Sequence, residues 1–257
     1  MDGIKKGMKK RNNILTIAGF DPTGGAGILA DTKVFEAHKC LGMAIQTANT
    51  IQTENNFLKI NWIEEDQIVE QLTVLFSTYT FKAIKIGLFP SIAFLSELLI
   101  LIRLSNPTIP IIWDPVLSAS AGFEFENNPT SKTELENVLK QIDWITPNWN
   151  EAKTLSANND AIKGAITLSN HTKVYLKGGH NTTDLGKDYL IEKGKIQSFT
   201  PKNGTYYEKH GSGCVFSSAL AANLANGYPQ QKAILRAKRY IEHFLSSSTS
   251  KLGRHYG

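Results

Sequence analysis

The feature that most constrains this chain is an alternation: short apolar runs take turns with segments of helical periodicity from residue 14 to residue 248. The apolar runs at residues 14–18, 43–51, 81–86, 109–113, 144–145 and 174–177 read as strands. Residues 28–38, 64–79, 92–104, 135–142, 150–155, 161–169, 213–226 and 230–248 read as helices. In the second of these, Ile68, Leu72, Leu75 and Phe76 share one helical stripe. Residues 188–192 and 196–200 flank the turn Lys193-Gly194-Lys195 and read as a hairpin. Such a succession predicts an α/β fold with a mainly parallel central sheet and helices on both faces. Several strands end in polar or glycine-rich turns: after Ala18, after Ile86, at Asp114, at Asn148 and at Gly178. The carboxyl ends of parallel strands are where ligands sit.

With 257 residues and no repeat, low-complexity stretch or long linker, the chain is expected to form a single domain over residues 13–257 behind a basic tail at residues 1–12. The formal net charge of +5 invites a nucleic-acid reading. Lys5, Lys6, Lys9, Lys10 and Arg11, set against Asp2, put +4 of it in the first eleven residues. The remainder is near neutral and has no basic stripe to track a phosphate backbone. The tail therefore reads as a solvated extension, and nucleic acid is not an expected partner. The two cysteines, Cys40 and Cys214, form neither a disulfide framework nor a metal cluster, which fits a reducing, cytoplasmic home. No stretch approaches the roughly 20 apolar residues of a membrane span, and the run after the tail is too short for a signal peptide.

Four segments could carry chemistry. GFDPTGGAGILAD, residues 19–31, places Gly24, Gly25 and Gly27 just before a helix. Such a turn either offers backbone N–H groups to an anion or simply makes a tight connection; it lacks the Lys-Ser/Thr of a nucleotide P-loop. HGSGC, residues 210–214, also leads into a helix, whose first amides and positive dipole end would cradle a phosphate. Cys214 sits in that first turn; a thiol ordinarily near 8.5 is expected to be lowered there, so it could act as a base. The plainer alternative is a small residue at a crowded helix start. In TPNWNEA, residues 146–152, Asn148 and Glu151 stand three apart. They suit either a capping box or, with Asp114, the few oxygens that Mg²⁺ requires beside phosphate oxygens. Lys177, before Gly178 and Gly179, could pair with nucleotide phosphates. Cys40, Trp113, Trp144 and Trp149 read as packing residues.

Taken in this order, GFDPTGGAGILADTK, KIGLF at Lys85, DPV at Asp114, TPNWNEA, KGGH and HGSGC resemble the hydroxymethylpyrimidine/phosphomethylpyrimidine kinases, the thiamin-pathway branch of the ribokinase superfamily. The resemblance covers about residues 13–248 and implies a ribokinase-like fold. It further implies ATP and Mg²⁺ as cofactors, an aminopyrimidine alcohol as substrate and a homodimer. By the same resemblance Gln52 pairs with the pyrimidine, Asp31 and Gly19 line or support its pocket, and Asp114, Asn148, Glu151 and Lys177 serve ATP, with Asp114 and Glu151 at the metal. Gly211, Ser212 and Gly213 would form the anion hole, with Cys214 as the catalytic group beside it.

The sequence departs from the family pattern at Phe20, at Ile51-Gln52-Thr53-Glu54, at Val215, and at Lys209, where threonine is usual. A pyridoxal kinase of the same branch and a non-catalytic pyrimidine-binding relative are the alternatives. Residues 201–209 are a candidate lid.

Overall fold

The computed structural model describes residues 10–117, 131–181 and 183–256. The strands are β1 (Asn13–Phe20), β2 (Leu41–Gln52), β3 (Phe57–Trp62), β4 (Phe81–Ile86), β5 (Ile111–Trp113), β6 (Trp144–Ile145), β7 (Lys173–Leu176), β8 (Asp188–Glu192) and β9 (Lys195–Phe199). They form one nine-stranded sheet in the order β3-β2-β1-β4-β5-β6-β7-β8-β9. From β2 to β7 neighbours are parallel; β3, β8 and β9 add antiparallel edges. The helices are α1 (Gly27–Ala37), α2 (Glu65–Thr78), α3 (Ile92–Ser105), α4 (Lys132–Gln141), α5 (Trp149–Ser156), α6 (Ala161–Leu168), α7 (Ser212–Ala225) and α8 (Gln230–Ser246).

Two apolar cores lie on the two faces of this sheet. One joins Leu15, Ile17, Ile84 and Ile86 to Leu95, Leu98, Leu99 and Val138 of α3 and α4. The other joins Ile14, Ala83 and Ile112 to Val34, Phe35, Ala219, Ala222 and Ile234 of α1, α7 and α8. Helix α7 is the most enclosed, buried from Val215 to Asn223. Its alanines and serines let it lie close to α1 and to the sheet; a leucine at Ala219 would overpack that contact by about 1–3 kcal/mol. After β2 and β3 the chain returns to the other side of β1 to make β4. The reversal opens a crevice at the carboxyl ends of β1 and β4, the usual ligand position in such a sheet.

Two expectations change. Phe57–Trp62 forms a strand, β3, that the sequence reading left unassigned; it pairs antiparallel with β2. The fourth strand begins at Ile111 and not at residue 109, because Pro110 has no N–H to give a ladder. Of the basic tail, residues 1–9 lie outside the described residues. Arg11 is held by Glu36 at 2.5 Å and by the Cys40 carbonyl, and Asn12 donates to Ala225 O at 3.1 Å. Among the described residues no helix is long and apolar enough to cross a membrane.

Candidate active site

A cleft of about 1520 Å³ runs along the carboxyl ends of the parallel strands. Gly19, Phe20, Gln52 and Phe57 line one end, and Asp114, Glu151, Lys177 and Gly213 the other, with Cys214 and Lys85 also on its wall.

At the charged end, Lys177 follows β7 and bridges in parallel to Asn148 after β6. Its Nζ reaches Asp114 at 2.6 Å and Glu151 at 3.8 Å. A Cβ added at Gly213 would stand 2.9 Å from that Nζ and 3.7 Å from an Asp114 oxygen. Glycine at 213 therefore lets the first turn of α7 sit directly against the ammonium and carboxylate. Thr146 donates to Asp114 at 3.2 Å. Asn148 caps α5: its side chain accepts from Glu151 N at 2.9 Å, and its own N–H donates to Glu151 at 2.6 Å. The capping box is thus present, in the cleft wall.

Burial alone would raise the Asp114 carboxyl, but the ammonium groups of Lys177 and Lys85 outweigh it and hold it below the usual range. Glu151 is pushed up to about 7 by burial, with Lys177 opposing and Asp114 adding to the rise. Lys177 is raised because the two carboxylates overcome its desolvation.

Cys214 stands in the first turn of α7, and its sulfur accepts from the Gly27 N–H at the start of α1. The lowered thiol expected from the helix position is corrected. Burial pushes Cys214 up to about 12; Lys85 opposes, and the Asp114 and Asp31 carboxylates add to the rise. Burial outweighs Lys85 and the Gly27 N–H, so the thiol keeps its proton at neutral pH.

The two glycine-rich loops touch. A Cβ at Gly211, whose φ is +71°, would fall 2.1 Å from Gly25 O. Of the two readings left open for the first loop, the amides of residues 23–26 fit the tight connection. Thr23 N and Ala26 N donate to the Asp21 carboxylate at 2.9 and 2.8 Å, Gly24 N to Asp21 O at 3.0 Å, and Gly25 N to Thr23 Oγ1 at 3.1 Å. Among the described residues no acceptor takes the amides of Gly213 and Cys214, which lie where a helix has no carbonyl to offer. Ser212 N donates to Lys209 O at 3.4 Å.

Asp31 does not line the cleft. It is fully buried and accepts from Thr16 at 2.6 Å, Ser218 at 2.7 Å and Lys85 at 2.8 and 3.0 Å. Of the two roles expected for it, support replaces contact: it joins α1, β1, β4 and α7. Lys85 and the His210–Asp21 pair, at 2.8 Å, carried no assigned role in the sequence reading. Asp21-Pro22-Thr23 was a legible Asx-type turn; Lys85, within an apolar strand, gave no signal of its partner. Of residues 201–209, Pro201 and 206–209 line the cleft, and the segment is tied down: Lys202 N to Glu242, Tyr207 N to Leu245 O and Lys209 to the segment after α8. These ties argue against a freely closing lid.

At the other end, Gln52 is half-buried at the close of β2, opposite Phe57 of β3. Its Nε2 donates to Thr50 Oγ1 at 2.8 Å, and that hydroxyl donates to Phe20 O at 2.8 Å. Gly19 backs onto Leu88, 3.0 Å from where its Cβ would be.

The sequence profile of the phosphomethylpyrimidine kinase family matches residues 21–257. A hydroxymethylpyrimidine/phosphomethylpyrimidine kinase of Staphylococcus aureus (strain Mu50 / ATCC 700699) is 32% identical over 259 residues, covering 97% of this chain and 93% of the relative. Among solved structures, pyridoxal kinase of Bacillus subtilis in its ADP complex superposes with a TM-score of 0.81 at 26% identity, covering 92% of each chain. Phosphomethylpyrimidine kinase of Clostridium difficile 630 superposes at 0.75 with 28% identity, covering 90% of this chain and 98% of that one. Cleft, fold and sequence agree, and the chain belongs to the phosphomethylpyrimidine kinase family, with the ribokinase-like α/β fold of its solved relatives.

Proposed function

We propose that this protein transfers the γ-phosphoryl group of ATP to the hydroxymethyl oxygen of 4-amino-5-hydroxymethyl-2-methylpyrimidine, and then phosphorylates the monophosphate to the pyrophosphate, in thiamin biosynthesis. The observation that carries this reading is the meeting of Lys177, Asp114 and Glu151 with the unoccupied amides of Gly213 and Cys214 at one end of a cleft. Phosphoryl transfer needs little covalent help; it needs in-line positioning and stabilised charge.

In this reading the first turn of α7, with Gly211, Ser212 and Gly213, holds the transferring group through backbone N–H donors. Lys177 supplies a point charge to the phosphate oxygens. Among the described residues no group of three or more His, Cys, Asp or Glu forms a self-sufficient metal site. Asp114 and Glu151, both on the cleft wall, nonetheless fit Mg²⁺, which is held by one or two carboxylates together with phosphate oxygens. Mg²⁺ bound there would neutralise charge on the phosphates. Asn148 fixes Glu151 through the capping box.

Gln52 matches the amide–aminopyrimidine pairing: one acceptor and two donors on a single planar group. Among the described residues no protein donor reaches its Oε1. Phe20 and Gly19 border the same end. Cys214, with its thiol protonated, orients the substrate hydroxyl, whose proton passes to an oxygen of the transferred phosphoryl group as the bond to phosphorus forms. Because its thiol is raised, the larger share of catalysis falls to the amides and Lys177.

The two cysteines are free, which supports a cytoplasmic home for a single kinase domain over residues 13–257. Leu58 and Trp62, 71% and 37% exposed on one face of edge strand β3, support a homodimer.

The test is an ADP-release assay with ATP and Mg²⁺, comparing the aminopyrimidine alcohol with pyridoxal and identifying products by mass. The expected result is preference for the pyrimidine, with mono- and then diphosphate formed. Preference for pyridoxal would move the reading to vitamin B6 salvage, the alternative favoured by the likeness to the Bacillus subtilis kinase. Gln52→Ala should raise KM for the pyrimidine about tenfold, the scale of one lost hydrogen-bonding group, and leave KM for ATP unchanged.

A further inference from the structure

Lys209 precedes the second glycine-rich loop and is 4% exposed. Its ammonium faces two backbone carbonyls of the segment that follows α8: Ser250 O at 2.6 Å, and Ser248 O. The Tyr207 ring lies 5.5 Å from its Nζ. Among the described residues no carboxylate pairs with it. A buried cation without a counter-charge is unfavourable, and burial does lower this lysine below the ordinary value. The carbonyls beyond the C-terminal end of α8, where the helix dipole is negative, are the compensation present.

What those carbonyls belong to matters. Residues 247–254 fold back as a strap: Arg254 N donates to Ser247 Oγ at 2.9 Å, and Ser248 Oγ donates to Leu252 O at 3.2 Å. The strap meets both glycine-rich loops. His210 N donates to Lys251 O at 2.9 Å. A Cβ at Gly25 would stand 2.9 Å from Leu252 Cδ2 and 2.7 Å from His210 Cδ2. Gly211 in turn rests on Gly25 and Ala26. Strap, first loop and second loop are thus stacked, and Lys209 is the charged pin between strap and second loop.

We propose that Lys209 is a positioning residue: its ammonium, caged by strap carbonyls, clamps residues 247–254 onto the two glycine-rich loops and so fixes the amides of Gly213 and Cys214 in the geometry that receives phosphate. The last clause rests on the phosphoryl-transfer reading above; the clamp itself does not. Lys209 touches neither reacting group in this account. A displacement of about 1 Å in such a cradle is worth up to ~10²-fold in rate.

The experiment uses the full chain with Lys209→Met, which keeps the bulk and removes charge and donors, and Lys209→Ala, which leaves a space facing the carbonyls. Lys209→Met should lower kcat about tenfold or more with little change in KM for the alcohol. Lys209→Ala should do the same and regain most of the loss in ethylammonium chloride. Tetramethylammonium chloride at equal ionic strength, which has charge but no N–H, should not restore it. Hydrogen exchange gives a readout independent of substrate: in Lys209→Met the bonded amides of His210 and Ser212 should exchange faster than in the parent chain.

Unchanged kcat in both variants, or equal recovery with either salt, would overturn the proposal. So would unchanged exchange at His210 and Ser212, whatever alcohol the enzyme accepts. If the parent chain phosphorylates neither the pyrimidine nor pyridoxal, the proposed function fails while the exchange measurement still decides the clamp.

Discussion

In the loop of residues 21–26 the amides of Thr23, Gly24, Gly25 and Ala26 are all satisfied within the loop, three of them by Asp21. In the loop that opens α7, the amides of Gly213 and Cys214 find no acceptor among the described residues. Both loops are glycine-rich, both precede a helix, and they touch through Gly211 and Gly25. Glycine thus marks where backbone must come close, while the acceptors inside the loop decide whether its amides remain for a ligand. DPTGG carries an aspartate and a threonine that turn inward; HGSGC carries no carboxylate, and Lys177 stands against Gly213 instead. The first loop is a brace and the second a receptor.

The sharpest way to break that division is at Lys177. Lys177→Met removes the cation that faces both the open amides and two buried carboxylates. We expect kcat/KM for ATP to fall about 10³-fold, the upper range for losing one preorganised charge-stabilising group. Steady-state kinetics with a thermal-unfolding control checks it; a loss below tenfold would make the second loop a mere connection. Next in size is the brace. Asp21→Ala leaves buried N–H donors unsatisfied at about 1–3 kcal/mol each, so we expect a loss of several kcal/mol and a fall in Tm of about 10 °C. Asp21 is held below the usual carboxylate range: burial alone would raise it, and hydrogen bonds from His210, Thr23 and Ala26 outweigh that. The division fails if Asp21→Ala melts normally and loses kcat instead.

The third test concerns Cys214, where both loops meet through the Gly27 N–H. With the thiol pushed up to about 12, alkylation of Cys214 by iodoacetamide, followed by peptide mass, should be slow at neutral pH. It should still be climbing near pH 10, since the thiolate is the nucleophile. Cys214→Ala should lower kcat about tenfold, the scale of one lost orienting hydrogen bond. A plateau in alkylation near pH 8 would restore the helix-lowered thiol, and normal turnover in Cys214→Ala would remove the sulfur from the chemistry.

Much of this was legible in the sequence, for physical reasons. β4 at Phe81–Ile86 has the expected bounds because every residue of it except Lys82 is buried in the sheet. The segments DPV, TPNWNEA, KGGH and HGSGC end or follow strands, and the topology brings them together. Edge strand β3 escaped because Lys59 and Asn61 interrupt its apolar residues, although Leu58, Ile60 and Trp62 do alternate. Asp31 was misread as a candidate pocket contact because direction is not written in a motif. Its carboxylate turns inward to Thr16, Lys85 and Ser218, three elements whose adjacency only the fold creates. The sign of the Cys214 shift was missed for a like reason: the helix start is local, but the desolvation that overrides it comes from packing.

The smallest expected effect is a titration, and it separates the two loops by charge. The first loop's carboxylate, Asp21, stays ionised through the neutral range because its pKa is lowered. At the receptor end Asp114 is likewise lowered, whereas Glu151 is pushed up to about 7, by burial first. Below pH 7 Glu151 carries a proton and is neutral; above it, the carboxylate is charged and available to a cation. Metal ligands must be deprotonated, so kcat/KM for Mg²⁺–ATP should fall about tenfold per pH unit below 7 and level off above. Glu151→Gln is neutral at every pH and should give a low, flat profile in the same window. Asp114 cannot produce this limb, because its ionisation lies well below it. A wild-type profile that is flat between about pH 5.5 and 8 would mean that Glu151 serves only as the cap of α5. The receptor loop would then work with Asp114 and Lys177 alone.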